Sequence, residues 1–230
     1  MAKKKTEKKL EKKQTTQLKV IVTMMILLFV SIVALALVFD GMKTFEYGGL
    51  EFKKVAYGEL QLYHARMPMA DITGRVIANY NLYLRNDPRD LSYIPIEEDI
   101  ELLGNTVISV DESIEKCKDN YRVIAQLAEF LASADIKAEF ALTNKNLAKE
   151  QGLNYATCQE SEFAELQIGE GGVDVHAKKR SILILREGNE SSISRGAENC
   201  YVLSISSCEN VKVVERFIVA TIANSKGLEV

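Results

Sequence analysis

The chain lacks most of the residue patterns from which catalytic centres are built. It holds two histidines, His64 and His176, and neither has a neighbour at zinc-ligand spacing. Each therefore reads as a structural histidine. No two of its four cysteines are spaced C-x-x-C, which excludes a zinc ribbon and a thioredoxin-type redox pair. There is no Walker loop, no G-x-S-x-G and no H-E-x-x-H. Gly169-Glu170-Gly171-Gly172 does not run from a strand into a helix, so it fails the context of a phosphate loop and reads as a turn. Repeats and low-complexity tracts are also missing. No cofactor and no metal is implied.

What the chain does have is concentrated at its start. Eight lysines between Lys3 and Lys19, offset by Glu7 and Glu11, run into Val20 to Phe39, a stretch without a charged residue. Twenty residues at about 1.5 Å each match a hydrocarbon core of about 30 Å, so the pattern predicts a single transmembrane helix in contact with the lipid bilayer. Only Thr23 and Ser31 interrupt its apolar character, and both can bond back to a helical carbonyl. The tail is formally +6; because the whole chain is −3, the remainder carries −9. The positive-inside rule then puts the N-terminus in the cytoplasm and everything after Asp40 outside it. Ala34-Leu35-Ala36 has the form a signal peptidase accepts, but signal-peptide cores run about 7 to 15 residues, which favours an uncleaved anchor. The acidic remainder excludes nucleic acid as a partner, since phosphate binding needs a concentrated basic face.

Cys117, Cys158, Cys200 and Cys208 all fall in the expected exterior part, where an even count suggests two disulfides. Tyr201 to Ser206 reads as a strand, so Cys200 and Cys208 stand at its opposite ends, on the order of 20 Å apart at about 3.3 Å per residue. A disulfide needs Cα atoms within about 7 Å, which removes Cys200 with Cys208 and hence Cys117 with Cys158. In a parallel sheet Cys117 and Cys208 follow strands and share the C-terminal edge, whereas Cys158 and Cys200 precede strands and share the other. The expected bridges are Cys117–Cys208 and Cys158–Cys200. Asn189-Glu190-Ser191 is the one N-x-[ST] sequon, and Asn189 is a candidate glycosylation site.

From Phe45 to about Pro95 apolar residues alternate between turn signals, the pattern of an antiparallel meander. Six of the nine tyrosines lie between Tyr47 and Tyr93, which makes Tyr57 and Tyr83 a candidate binding face. Tyrosine also suits a half-buried sheet, and that structural reading is preferred. Beyond Pro95, Thr106 to Val110 reads as a strand and Asp111-Glu112-Ser113 as a helix start. Ile114, Cys117, Tyr121, Ile124, Ala125, Ala128 and Leu131 then give the buried face of a helix. Strands at Ile136 to Leu142, Ser181 to Arg186 and Tyr201 to Ser206, a short helix at Lys145 to Gln151, a hairpin within Glu160 to Arg180 and a closing helix from Glu209 complete an α/β pattern.

The expected fold is thus α+β / α/β: an N-terminal transmembrane helix, an antiparallel β meander, then a three-layer α/β domain with a mainly parallel sheet. The boundaries are a cytoplasmic tail over 1–19, the span over 20–39, the β module over 40–95 and the α/β domain over 96–230. Phe45-Glu46-Tyr47-Gly48-Gly49, Asn81-Leu82-Tyr83-Leu84-Arg85-Asn86-Asp87-Pro88-Arg89, Asn199-Cys200-Tyr201 and Cys208 followed by Glu215-Arg216-Phe217 resemble a group of archaeal single-pass membrane proteins of unknown function. The resemblance implies archaeal origin, a plasma-membrane location and an exterior α/β domain, and carries no activity.

In open parallel sheets ligands sit beyond the C-terminal strand edge, here near Asp111, Ser113, Thr143, Asn144, Ser206 and Ser207. A Cys117–Cys208 bridge at that edge leaves less room for a crevice. Glu97-Glu98-Asp99 with Glu101 lacks the spacing and glycine of an EF-hand and reads as a solvated acidic turn. Three functions are ranked on this basis. An interaction or assembly subunit docking another envelope protein comes first, a module binding a small solute or glycan second, and a membrane-tethered hydrolase or oxidoreductase last.

Overall fold

The computed structural model describes residues 19, 22–33, 44–70, 75–114, 116–160, 162–169 and 172–228. Chain contacts separate Met1–Phe45 from a compact unit, Glu46–Val230. The expected transmembrane helix is overturned: among the described residues no helix is long and apolar enough to cross a membrane. The described helical residues there are Lys19 and 22–33, and the run over 22–33 is here α1. Residues 20–21 and 34–39 of the expected span, and 1–18 of the expected tail, lie outside the described residues.

The first sheet is a meander of β1 (Thr44–Tyr47), β2 (Leu50–Tyr57), β3 (Leu60–Ala70) and β4 (Val76–Leu84), in that order. Gly48 and Gly49 both take positive φ at the first turn, a backbone that admits glycine without steric cost. Register sets Phe52 against Ala65 and Ala65 against Leu82. These residues, with Leu50 and Leu84, are buried and form the inner face. Alternation sends Val55, Tyr57, Leu60, Leu62, His64 and Tyr83 to the other face.

The second sheet has the order β11-β12-β10-β5-β6-β7. Its members β5 (Asn105–Val110), β6 (Lys137–Leu142), β7 (Asn154–Tyr155), β10 (Ser181–Glu187) and β12 (Cys200–Ile205) are parallel, and β11 (Ser192–Ala197) is an antiparallel edge. A hairpin of β8 (Glu162–Gly169) and β9 (Gly172–Lys179) precedes β10. Buried runs such as Ile182 to Leu185 in β10 are what a parallel strand covered on both faces requires.

Helix α4 (Asn210–Ser225) is buried on every side from Val213 to Ala220. It bridges the two sheets. Phe217 meets Tyr201 of β12 edge-on at 6.5 Å between ring centres. On the other side the Arg216 guanidinium donates to the Tyr47 hydroxyl (2.8 Å) and to the Ile94 carbonyl (3.3 Å). The helical layer of α4 and α2 (Asn120–Ser133) thus lies beside both sheets. The far face of the six-stranded sheet carries a smaller core, in which Val107, Ala141, Ile182, Ile184 and Val202 pack with Ala156 and Cys158.

Helix α2 departs from its sequence pattern. It starts at Asn120 rather than near Ile114, because Glu112–Ile114 forms a separate 3-10 turn and Asp119 adopts the left-handed conformation (φ 69°). That interruption resets the helical phase. Val123, Leu127, Phe130 and Leu131 face inward, and Tyr121, expected on the buried face, is 91 % exposed. Cys117 lies in the connection before the helix, and Cys208, with φ 58°, precedes α4 rather than opening it.

Candidate functional site

The two disulfides are Cys117–Cys208, with Cα atoms 5.2 Å apart, and Cys158–Cys200, at 5.3 Å. Cys208 follows β12 and Cys200 begins it, so the bridges fasten opposite edges of the parallel sheet. Cys200 is fully buried in the far-face core.

At the C-terminal edge the residues expected around a crevice are engaged by the chain itself. Asp111, just after β5, accepts from the Thr143 hydroxyl (2.6 Å) and from the Ser113 amide (3.0 Å). Burial works to raise its pKa, but the Ser113 and Thr143 hydrogen bonds and the Arg186 charge hold its carboxyl below the usual carboxylate range. The Ser113 hydroxyl accepts the Glu187 amide (3.0 Å), tying the end of β10 to the loop after β5. Asn144 caps α3 (Lys145–Gln151) by accepting from the Asn146 and Leu147 amides (3.0 and 3.3 Å). Ser206 donates its amide to the Ser191 hydroxyl (3.2 Å), away from the Asp111 group. The structure thus joins Asp111, Ser113 and Thr143 into a brace, with Asn144 and Ser206 in separate roles.

Beside Ser206 lies a cluster that sequence spacing does not reveal. The Glu209 carboxylate accepts from the Tyr93 hydroxyl (3.0 Å), the Ser191 hydroxyl (3.1 Å) and the Lys212 ammonium (2.7 Å). The Lys212 hydrogen bond holds the Glu209 carboxyl below its ordinary range, and the same bond holds the ammonium above its own. A lysine kept protonated is no base for Ser191, and Ser191 spends its proton on a carboxylate. The cluster fastens the Tyr93 loop and the start of β11 to the N-terminal end of α4. Only the i, i+3 spacing of Glu209 and Lys212 is legible in the sequence.

The outward face of the meander is more open. Tyr57 is 77 % exposed, Leu60 53 % and Tyr83 50 %. Tyr57 pairs across strands with Leu60, Val55 with Leu62, and His64 with Tyr83. The His64 ring stacks on Tyr83 at 4.7 Å, and its Nε2 lies 3.1 Å from Asn81 Oδ1. The structure places Tyr57 and Tyr83 on one face. Asn189 is exposed at the turn between β10 and β11. The side chain of His176 in β9 lies outside the described residues.

At the opposite, N-terminal edge of the parallel sheet, the ends of α2 and α4 leave a cavity of about 590 Å³. Met67, Ile100, Phe130, Ile136, Ile222 and Leu228 form its apolar wall. A second cleft, of about 680 Å³, shares Asp99, Glu101 and Asn224 with it and adds Glu97, Glu98 and Arg195. Glu98 is paired with Arg195 at 2.7 Å. No group of His, Cys, Asp and Glu suited to a metal ion occurs among the described residues. No protein-family model, no curated protein and no solved structure matches the chain.

Proposed function

We propose that the folded unit is an interaction or assembly module of the cell envelope, working in an oxidising compartment and docking another protein through the outward face of its four-stranded sheet. The observation that carries the reading is the contiguous row Tyr57, Leu60, Val55, Leu62, His64 and Tyr83, aromatic and aliphatic side chains presented together on one side of β2, β3 and β4. Tyrosine beside aliphatic residues is the composition that anchors protein interfaces, giving a large contact area at a small entropic cost. The two disulfides support an extracytoplasmic setting, since reducing compartments do not sustain such bridges. The hydroxyls and carboxylates at the C-terminal sheet edge are bound to one another and to backbone amides, an arrangement that favours holding the fold over turning over a substrate.

The test is site-specific photocrosslinking in the native host, with benzoylphenylalanine placed at Leu60 and, as a control, at the exposed Lys149 of α3. A discrete protein adduct from position 60 and none from position 149 supports docking on this face. Equal, diffuse labelling from both positions removes it.

A further inference from the structure

The apolar cavity and the acidic cleft are contiguous: Asp99, Glu101 and Asn224 belong to the walls of both. We propose that together they form one binding site for an organic cation with an extended apolar part, of the alkylammonium class. The apolar part occupies the space between Met67, Ile100, Phe130, Ile136, Ile222 and Leu228, and the cationic head lies in the cleft.

Size and lining come first. A volume of about 590 Å³ is in the usual range of small-molecule sites, about 300–1,000 Å³, and a mostly apolar wall with a few convergent polar groups is their common form. Charge decides the class of ligand. Of the four carboxylates in the cleft, Glu98 is neutralised by Arg195, while Glu97, Asp99 and Glu101 have no ion-pair partner among the described residues. Four carboxylates against the single Arg195 guanidinium, whose charge is felt by both Glu98 and Glu101, leave the mouth of the apolar cavity with an excess of negative charge, which attracts a cation and repels a fatty acid or other organic anion.

The shared wall is held in place before any ligand arrives. The Tyr201 hydroxyl, projecting from β12, donates to the Glu101 carbonyl (3.0 Å) and accepts the Glu101 amide (2.7 Å). In the orientation that satisfies both ends of its amide, Asn224 accepts from the Ile100 amide (2.7 Å) and donates to the Ala220 carbonyl (3.2 Å). These bonds use the main chain of Ile100 and Glu101, not the Glu101 carboxylate; in the other amide orientation Asn224 Nδ2 donates to Asp99 Oδ1 at 3.3 Å, so either way Asn224 lies against the acidic head of the site. A wall fixed in advance lowers the ordering cost of binding.

The test uses the full chain with carbon-13 in the methionine and isoleucine methyl groups, titrated in turn with decylamine, decanol and decanoate while each methyl is followed by NMR. Decylamine is expected to shift Met67 and Ile222 saturably, and decanoate to bind about tenfold or more weakly, because its head group meets like charges. The triple change Glu97→Gln, Asp99→Asn and Glu101→Gln should bring decylamine to within about twofold of decanol, as only the head-group attraction is removed. Ala134→Phe, a substitution at the exposed rim, should abolish the shifts while the methyls of Ile108 and Ile182, deep in the sheet, report an intact fold. Shifts confined to Met24, Met25 and Ile26 of α1, or equal binding of all three compounds, overturn the proposal.

Discussion

The buried Glu215 carboxylate takes the main-chain amide of Arg85 at 2.5 Å and leaves the Arg85 guanidinium to Asp119, 3.3 Å away. Its second oxygen accepts the Asn86 amide (3.0 Å) and the Asn86 side-chain amide (2.7 Å). One carboxylate of α4 thus holds the chain where it leaves β4. Burial pushes the Glu215 carboxyl above its ordinary range, against the hydrogen bonds from Arg85 and Asn86, which favour its charged form. A raised folded-state pKa means that the native state binds this proton more tightly than the unfolded chain. The contribution is therefore fully present below the ordinary glutamate value and is lost as pH rises through the raised one. Glu215→Gln offers one acceptor oxygen where two were used, so one buried amide loses its partner at a cost of about 1–3 kcal/mol. The variant should also lose this group's share of the decline in stability above the ordinary glutamate range. Urea unfolding followed from acidic to neutral pH checks both points, and an unchanged midpoint throughout would mean the clamp is energetically silent.

The disulfides close loops with sequence separations of 91 and 42 residues. In the loop-entropy model the longer one stabilises by about 4–5 kcal/mol and the shorter by about 4 kcal/mol. Replacing Cys117 and Cys208 together by alanine, and separately Cys158 and Cys200, should therefore lower the urea midpoint by similar large amounts. Cys200 is fully buried in the far-face core whereas Cys208 is exposed, so the Cys158–Cys200 variant loses packing as well. The expected order is thus closer to equal than loop length alone implies. A Cys117–Cys208 variant as stable as the parent would show that the C-terminal edge is held by Asp111, Ser113 and Thr143 without the bridge.

The two tyrosines of the outward face separate binding from stability. Tyr57 has little of its surface covered, so Tyr57→Ser should change the unfolding free energy by less than about 0.5 kcal/mol. Tyr83 stacks on His64, and Tyr83→Ala should cost about 0.5–1.5 kcal/mol for the lost ring pair. Both substitutions should weaken the position-60 crosslink. A large stability loss at Tyr57 with the crosslink unchanged would assign that side chain to the fold.

The strands were legible where one physical rule governs the pattern. Alternation marks Leu50 and Phe52 against Leu82 and Leu84, and a solid apolar run marks Ile182 to Leu185. The edge positions of the four cysteines followed from strand direction. Helix α2 was read out of phase because nothing in Lys118-Asp119-Asn120 signals that Asp119 turns left-handed. Nothing local in Glu215-Arg216 of α4 shows that both are buried, because the groups that hold them lie 120 or more residues away in sequence. The expected membrane span rests on the length, hydropathy and flanking charge of residues 20–39, and no described helix is long and apolar enough to cross a membrane. The cavity depends on where β3, the segment before β5 and the two helix ends meet, and no local pattern encodes that meeting.

Gly196 links the edge strand to the far-face disulfide. It sits at the irregularity in β11, between Arg195, which pairs with Tyr201, and Ala197, which pairs with Cys200. Its φ is not positive, so alanine meets no backbone penalty there. A Cβ at this position would instead come 2.7 Å from the Cys158 sulfur and 3.0 Å from a Val202 methyl. Neither neighbour can swing aside, because the sulfur is bonded to Cys200 and Val202 is packed in the same core. Gly196→Ala should therefore destabilise by about 1–3 kcal/mol through overpacking. In a background where Cys158 and Cys200 are both alanine the sulfur is gone, and the same substitution should cost clearly less. A double-mutant cycle of unfolding free energies measures that coupling, expected to be about 0.5–3 kcal/mol. If Gly196→Ala costs the same in both backgrounds, the contact that matters is with Val202, and the disulfide plays no part in excluding a side chain from the bulge.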